Sequence, residues 1–145
     1  MNDEGDKFVI FGICWGFQSL HYYQEPTAAY MVGPLNSNDY SNNHEFITDP
    51  SETKLFGDAS EQLIKSTEEG RTLYEFHNWG VGLSAYDNYP TLAENLTPIS
   101  IAYDLDGTGY VQTVEHKEYP FFGTQFHPEY PMFRRAAKYN DLNTS

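Results

Sequence analysis

The segment FVIFGICWG at residues 8–16 is the most informative part of the sequence. Its first part, Phe8 to Phe11, is a short apolar run that predicts a buried strand, and the next residue is a glycine that interrupts the run. Residues Gly16 to Gln24 then read as a helix. The motif Gly12-Ile13-Cys14-Trp15-Gly16 has the G-x-nucleophile-x-G form between a strand and a helix, which is typical of a nucleophile elbow.

Cys14 is the candidate nucleophile of this motif. We expect both Gly12 and Gly16 to be required, because a side chain at either position would collide with the neighbouring strand or helix. The start of the following helix favours a thiolate, and the Trp15 backbone N–H is placed to donate to an oxyanion. The alternative is a buried core cysteine beside two packing glycines.

A second motif, YPFFGTQFHPE at residues 119–129, carries the candidate base. Phe121 to Phe126 predicts a strand, and His127 follows it, with the Glu129 carboxylate two residues further on. His127 can take the proton from Cys14 and return it to a leaving amine, while Glu129 fixes the tautomer and stabilises the imidazolium. Taken alone, a His-Pro-Glu sequence is typical of a surface turn, so its partnership with the elbow carries the prediction.

The rest of the chain predicts one α/β domain over residues 1–145, without an internal repeat. Residues Pro34 to Pro50 are rich in Asn, Ser and Asp and predict a surface loop. Further elements are expected as strands at Ala28–Val32, Thr72–Phe76, Ile99–Tyr103 and Tyr110–Val114, and as helices at Ser60–Ser66 and Phe133–Tyr139.

The composition excludes several classes of function. The net charge is −13 with only eight Lys and Arg, which argues against binding to nucleic acid or to an anionic membrane. A single cysteine excludes an internal disulfide and a zinc site built on paired cysteines, and we expect neither a metal nor a cofactor. Residues Met1 to Lys7 lack the apolar core of a signal peptide, and no stretch approaches transmembrane length.

The segment Asp104-Leu105-Asp106-Gly107-Thr108 has the D-x-D-G-T form of haloacid dehalogenase-like phosphotransferases. That chemistry also needs a downstream Lys and an acidic pair for magnesium, and no such pair follows. The spacing from Asp104 to Glu115 also fits a calcium loop, but an EF-hand needs flanking helices and Pro98 precedes this one. We therefore expect a β-hairpin turn here.

Together, the G-x-C-x-G elbow and the later G-x-Q-[FW]-H-P-E strand end resemble the class I glutamine amidotransferase-like superfamily. Within it, the His77-Asn78-Trp79 segment resembles the His-x-Trp segment of γ-glutamyl hydrolases. The resemblance implies an α/β three-layer sandwich with a central, mostly parallel sheet. It also implies a domain that lacks its N-terminal part, because only 13 residues precede Cys14 and the second oxyanion donor of the family comes from a loop before the elbow.

The resemblance implies a thiol hydrolase that cleaves γ-glutamyl bonds, with folate-type poly-γ-glutamates as substrates and a thioester intermediate. Cys14, His127 and Glu129 would be catalytic, and Trp15, Gln18 and His77 would contact substrate. A lysosomal, vacuolar or extracellular location and a homodimer are expected on the same ground.

Gln18 departs from the pattern, because γ-glutamyl hydrolases commonly have Glu there and amidotransferases have Gln. A glutaminase subunit that delivers ammonia to a synthetase therefore stays open as an alternative, as does a non-catalytic fragment of the family.

Overall fold

The computed structural model describes residues 2–130, which form nine strands and four α-helices. The helices are α1 (Trp15–Gln24), α2 (Glu61–Glu69), α3 (Ala85–Asn88) and α4 (Pro90–Asn95). The strands are β1 (Ile10–Ile13), β2 (Met31–Val32), β3 (Ser37–Asn42), β4 (Glu45–Phe46), β5 (Leu73–His77), β6 (Gly80–Gly82), β7 (Leu96–Tyr103), β8 (Gly109–His116) and β9 (Phe121–Thr124).

Seven of these strands form one sheet in the order β1-β9-β8-β6-β2, with β7 also paired to β8 and β4 paired to β7. Strands β1 and β9 are parallel, in a register that pairs Ile10 with Phe121 and Ile13 with Thr124. The other pairings in this sheet are antiparallel. Parallel pairing in the described part of the chain therefore joins the two strands that carry the motifs.

The α/β class is confirmed, and within residues 2–130 the sheet is mixed rather than mostly parallel. The physical reason is the length of the connections. Strand β7 is joined to β8 by residues 104–108, and β8 to β9 by residues 117–120. Such short links allow antiparallel neighbours, whereas a parallel pair needs a crossover of a dozen or more residues.

The two faces of the sheet are covered differently. Adjacent residues of β8 point to opposite faces. Val111 lies in the main hydrophobic core with Phe17 of α1 and Leu92 of α4. On the opposite face, the ring of Tyr110 packs edge-on against His77, with centroids 4.9 Å apart. His77 belongs to β5, which pairs with β3 in a separate two-stranded ribbon. The sheet thus lies between a helical layer and this ribbon.

Most of the expected elements are present, with shifted ends. The helix after the elbow is confirmed, and the strand before it begins and ends two residues later than expected, at Ile10–Ile13. Helix α2 begins after Ser60, whose hydroxyl accepts from the Leu63 N–H at 3.2 Å as an N-cap. The helix predicted at Phe133–Tyr139 lies outside the described residues.

The prediction of a loop over Pro34–Pro50 is wrong. This segment contains β3 and β4, which pair with β5 and β7. The prediction was wrong because it took polar composition as a sign of a surface loop, whereas the ribbon buries some of these polar groups. Ser37 is fully buried, and Tyr40 is buried with its hydroxyl 3.3 Å from the Tyr103 carbonyl oxygen. Tertiary pairing outweighs local propensity here.

The hairpin turn at Asp104–Thr108 is confirmed. One carboxylate oxygen of Asp104 accepts from the N–H groups of Asp106 at 3.0 Å and Thr108 at 2.7 Å, and the other accepts from the Asn36 N–H at 2.8 Å. Gly107 has a φ of 86°, which a side chain would disfavour. The acidic residue of this motif therefore binds backbone N–H groups and joins the β7–β8 turn to the ribbon.

Candidate functional site

Cys14 occupies the single residue between β1 and α1. Its φ is 52° and its ψ is −105°, a conformation that L-residues with a side chain rarely adopt. Two backbone hydrogen bonds hold it: its N–H donates to the Thr124 carbonyl oxygen at 2.8 Å, and its own carbonyl oxygen accepts from the Gln18 N–H at 3.1 Å. The predicted nucleophile elbow is therefore present in backbone geometry as well as in sequence.

The two glycines of the elbow have different roles. A Cβ at Gly12 would lie 2.6 Å from the Gly16 backbone carbon and oxygen, so the strand and the helix approach too closely for a side chain. A Cβ at Gly16 would meet nothing within 4 Å. The expectation that both glycines are sterically required is thus supported for Gly12 and wrong for Gly16, whose missing side chain leaves space open at the helix start.

The Cys14 sulfur is half-buried among polar groups. Its Sγ lies 3.8 Å from the Phe76 carbonyl oxygen and 3.7 Å from the Gln125 Nε2. Burial raises the pKa of the thiol, the backbone N–H of Trp15 lowers it, and the charges of Glu75 and Glu129 raise it further. The net effect on the pKa is upward, so the thiol needs a base to become a nucleophile.

His127 has the arrangement of such a base. Its Nδ1 lies 2.7 Å from the Glu129 Oε1. Since the carboxylate accepts, Nδ1 carries a hydrogen, and in the neutral form of the ring the lone pair is then on Nε2. That Nε2 is buried and has no hydrogen-bond partner among residues 2–130. Glu129 therefore fixes the tautomer in which Nε2 can accept a proton.

The fold places Cys14 and His127 at the same end of the sheet. The carboxyl ends of the parallel strands β1 and β9 lie side by side, with Ile13 paired to Thr124. Both residues also contact β5. The His127 N–H donates to the Tyr74 carbonyl oxygen at 2.9 Å, and the Cys14 thiol faces the Phe76 carbonyl oxygen. Within residues 2–130, no hydrogen bond joins Sγ to the imidazole directly.

The three residues expected to contact substrate lie around this centre. The Trp15 side chain is 79% exposed, and its backbone N–H acts on the Cys14 thiol. Gln18 donates its amide to the Trp79 carbonyl oxygen at 2.8 Å and to the Gln125 Oε1 at 3.1 Å. Both residues stay candidates for substrate contact.

His77 is only 5% exposed. Its Nδ1 lies 3.0 Å from the Trp79 carbonyl oxygen and its Nε2 lies 2.9 Å from the Glu75 Oε2. Because both ring nitrogens have protein partners, the geometry gives His77 a structural role in the part of the protein next to Cys14. Its expected contact with substrate stays a prediction.

Two buried polar residues of the site were not identified from the sequence as functional. Gln125 is fully buried and donates to the Cys14 sulfur, and Glu75 is fully buried beside His77. Glu75 lies in β5 between Tyr74 and Phe76, and Gln125 follows the last residue of β9 and precedes Phe126. That was the available signal, because a buried polar side chain needs specific partners.

A shallow groove of about 360 Å³ opens next to His127. It is lined by Tyr74, Phe76 and Tyr130 together with His127, and the rings of Tyr74 and Tyr130 stack with centroids 3.9 Å apart. The groove is therefore a candidate binding surface beside the His127 side chain.

Residues 2–130 contain no group of three or more His, Cys, Asp or Glu side chains arranged to hold a metal ion. None of the helices in the same residues combines the length and the apolar character that crossing a membrane requires.

Comparison with known proteins gives a consistent result. γ-Glutamyl hydrolase 1 of Arabidopsis thaliana is 25% identical over 129 residues, which are 88% of this chain and 37% of that protein. γ-Glutamyl hydrolase B of Dictyostelium discoideum is 23% identical over 146 residues, with 99% and 42% of the two chains covered. These relatives confirm the resemblance to γ-glutamyl hydrolases, and the chain spans roughly two-fifths of their length.

A solved structure has the same fold. A protein from Thermoplasma acidophilum that is assigned as part of a GMP synthase matches with a TM-score of 0.53 and 24% identity, over 87% of this chain and 50% of that one. The model of the family described as glutamine amidotransferase class-I matches residues 4–141, nearly the whole sequence. The chain therefore belongs to the class-I glutamine amidotransferase family, with the α/β fold of that family.

Proposed function

We propose that the chain is a thiol hydrolase that cleaves γ-glutamyl amide bonds, with Cys14 as nucleophile, His127 as base and Glu129 as the residue that orients the base. The observation that carries the proposal is the His127 imidazole, with Nδ1 bound to Glu129 at 2.7 Å and a buried Nε2 without a partner in the described residues. The γ-glutamyl hydrolases among its relatives supply the substrate class.

In the first step, His127 Nε2 accepts the proton of the Cys14 thiol, and Sγ attacks the carbonyl carbon of the γ-amide. The carbonyl oxygen becomes an oxyanion that the Trp15 N–H, at the start of α1, stabilises. When the tetrahedral intermediate collapses, the C–N bond breaks and the protonated His127 gives its proton to the leaving amine. The γ-glutamyl group stays on Cys14 as a thioester.

In the second step, neutral His127 accepts a proton from water, and the resulting hydroxide attacks the thioester carbonyl. The C–S bond breaks, His127 returns its proton to Cys14, and the product leaves as a γ-carboxylic acid, which gives its own proton to the solvent. Glu129 holds the same tautomer of His127 in both steps and stabilises the imidazolium that forms in each.

Poly-γ-glutamates of folate-like compounds are the substrates that we propose within this class. Three of the residues that line the groove beside His127 are aromatic, namely Tyr74, Phe76 and Tyr130, which suits the ring part of such a compound. A lysosomal, vacuolar or extracellular location and a homodimeric state stay proposals that rest on the resemblance to γ-glutamyl hydrolases.

The test is release of glutamate from a γ-linked diglutamyl peptide under reducing conditions, by the intact chain and by its Cys14→Ala variant. The proposal expects turnover by the intact chain and a loss of at least about 1000-fold in the variant. An α-linked diglutamyl peptide is the matched control and should not be cleaved. No turnover by a folded intact chain would contradict the proposal and favour a non-catalytic member of the family.

One observation favours a second candidate function, that of a glutaminase subunit which delivers ammonia to a synthetase. Gln18 provides an amide where, by the family resemblance, the hydrolases commonly have a carboxylate. This candidate expects glutamine hydrolysis, increased by a synthetase partner, and no cleavage of the γ-linked dipeptide. The same assay with glutamine as substrate distinguishes the two.

A further inference from the structure

A continuous line of hydrogen bonds runs beneath the Cys14 sulfur. It begins at the His77 ring, whose Nδ1 lies 3.0 Å from the Trp79 carbonyl oxygen. The same oxygen accepts from the Gln18 Nε2 at 2.8 Å. The Gln18 Nε2 also donates to the Gln125 Oε1 at 3.1 Å, and the Gln125 Nε2 lies 3.7 Å from Sγ. The line therefore ends on the atom that attacks the substrate.

The direction of these bonds follows from one group that can only accept. The Trp79 carbonyl oxygen has no hydrogen, so the Gln18 side chain must present its NH₂ group to it. The second hydrogen of that NH₂ group points at Gln125, which must answer with its own oxygen. The Gln125 amide is thereby oriented with its NH₂ group toward Sγ.

Gln125 is suited to hold this orientation. It is fully buried, and its backbone N–H donates to the Gln112 carbonyl oxygen at 2.8 Å. It precedes His127 by two residues, so the strand end that positions the base also positions this amide. A reversed Gln125 would place its NH₂ group against that of Gln18 and would present an acceptor to the sulfur, which makes the reversed state unfavourable.

The hydrogen bond to sulfur is weak while Cys14 is a thiol and strengthens when the sulfur becomes a thiolate, because charge-assisted bonds are the strong ones. Several groups oppose the thiolate. The Phe76 carbonyl oxygen faces it at 3.8 Å, and the charges of Glu75 on β5 and of Glu129 beyond β9 raise the pKa of the thiol. The Trp15 N–H on α1 and a protonated His127 favour the thiolate.

We propose that Gln125 donates a hydrogen bond to the Cys14 thiolate and stabilises it, and that Gln18 is a positioning residue which acts through Gln125. The proposal rests on the proposed function, since it assigns these amides to the nucleophile of that reaction. It explains why an amide at position 18 suits this chain: a carboxylate there would have no hydrogen to give to either acceptor.

The test is the pH dependence of Cys14 alkylation by iodoacetamide, followed by intact mass, in the full chain without substrate. Cys14 is the only cysteine, so the signal reports this thiol alone. Gln125→Met should shift the midpoint of the alkylation profile upward by about one pH unit. A shift of this size is expected when a charged group loses one hydrogen bond that stabilises it. Gln18→Met should shift it in the same direction by less.

A Gln18→Met/Gln125→Met double variant decides whether Gln18 acts through Gln125. The double variant should show the midpoint of Gln125→Met alone, because Gln18 then has nothing to orient. An unchanged midpoint in Gln125→Met, or shifts that add in the double variant, would overturn the proposal. If Gln125→Met does not fold, as judged by circular dichroism, Gln18→Met carries the test, and an unchanged midpoint there overturns it.

The alkylation profile needs no turnover, so this inference and the proposed function can fail separately. Shifted midpoints with no cleavage of the γ-linked dipeptide would support the role of Gln125 on the sulfur and contradict the hydrolase. Normal cleavage of the dipeptide with unshifted midpoints would support the hydrolase and contradict the role of Gln125 on the sulfur.

Discussion

Ile13 pairs with Thr124 in the parallel register of β1 and β9, and this pairing sets the geometry of the site. One residue beyond Ile13 the chain turns into α1 at Cys14, whose N–H is held by the Thr124 carbonyl oxygen at 2.8 Å. Three residues beyond Thr124 lies His127. Cys14 and His127, the proposed nucleophile and base, therefore lie at two neighbouring strand ends, although they are far apart in sequence.

Replacing Glu129 by Gln should slow the reaction without removing the nucleophile. An amide can still bind His127 Nδ1, but it stabilises the imidazolium less and can bind either tautomer. We expect kcat for the γ-linked dipeptide to fall roughly 10- to 1000-fold with a smaller change in KM. Glu118→Gln is the matched control, because Glu118 is exposed and lies beside His116, away from Cys14. Equal losses in the two variants would contradict the role of Glu129.

Replacing Gly12 by Ala should destabilise the fold, whereas replacing Gly16 should not. The Cβ at Gly12 would lie 2.6 Å from the backbone of α1 and would force the helix away from β1. We expect a loss of about 1–3 kcal/mol in the free energy of unfolding, measured with urea. At Gly16, where the space is open, Ala should be neutral or stabilising by about 0.5 kcal/mol. A destabilised Gly16→Ala variant would show that the open space is needed.

Stability should fall as the solution becomes acidic, because two histidines are buried in neutral form. Burial lowers the pKa of His21 and that of His44 from 6.5 to about 4 each. The unfolded chain then binds more protons than the folded chain between these two values, so stability is lost as pH falls from 6.5 toward 4. At pH 5 each histidine should cost about 2 kcal/mol relative to pH 7.5.

The matched variant for this prediction is His21→Gln. It removes one titrating group, so the difference in unfolding free energy between pH 7.5 and pH 5 should shrink by about 2 kcal/mol. The Nδ1 of His21 lies 2.9 Å from the Phe17 carbonyl oxygen and its Nε2 lies 2.7 Å from the Tyr86 hydroxyl, so the variant will also lower stability at both pH values. An unchanged difference between the two pH values would contradict the prediction.

The elbow could be predicted from sequence because its information is local. A glycine, a nucleophile and a second glycine between an apolar run and a helical segment specify the turn, and the structure holds Cys14 at the single residue between β1 and α1. The partnership of Cys14 with His127 was proposed from the two motifs and strengthened by the resemblance to a family, because nothing local links two residues that far apart. The register of β1 and β9 places the two residues at the same end of the sheet, which supports the proposed partnership.

Other parts of the molecule were hidden from sequence reasoning for identifiable reasons. Strand β3 was predicted as loop from its polar residues, and its pairing with β5 is a long-range contact that no local pattern reveals. The role that we propose for Gln125 was not predicted because it depends on the orientation of the side-chain amide. That orientation is set by Gln18 and the Trp79 carbonyl oxygen. Buried polar networks are a property of the assembled fold.

Trapping the acyl group on the protein would show whether Cys14 is the nucleophile. The chain is mixed with a γ-linked diglutamyl peptide, quenched in acid at short times, and examined by intact mass and peptide mapping. We expect a transient mass increase of one glutamyl group on the peptide that contains Cys14, and its absence in a folded Cys14→Ser variant. Cleavage of the substrate without such an adduct at any quench time, or with the group on another residue, would contradict Cys14 as the nucleophile.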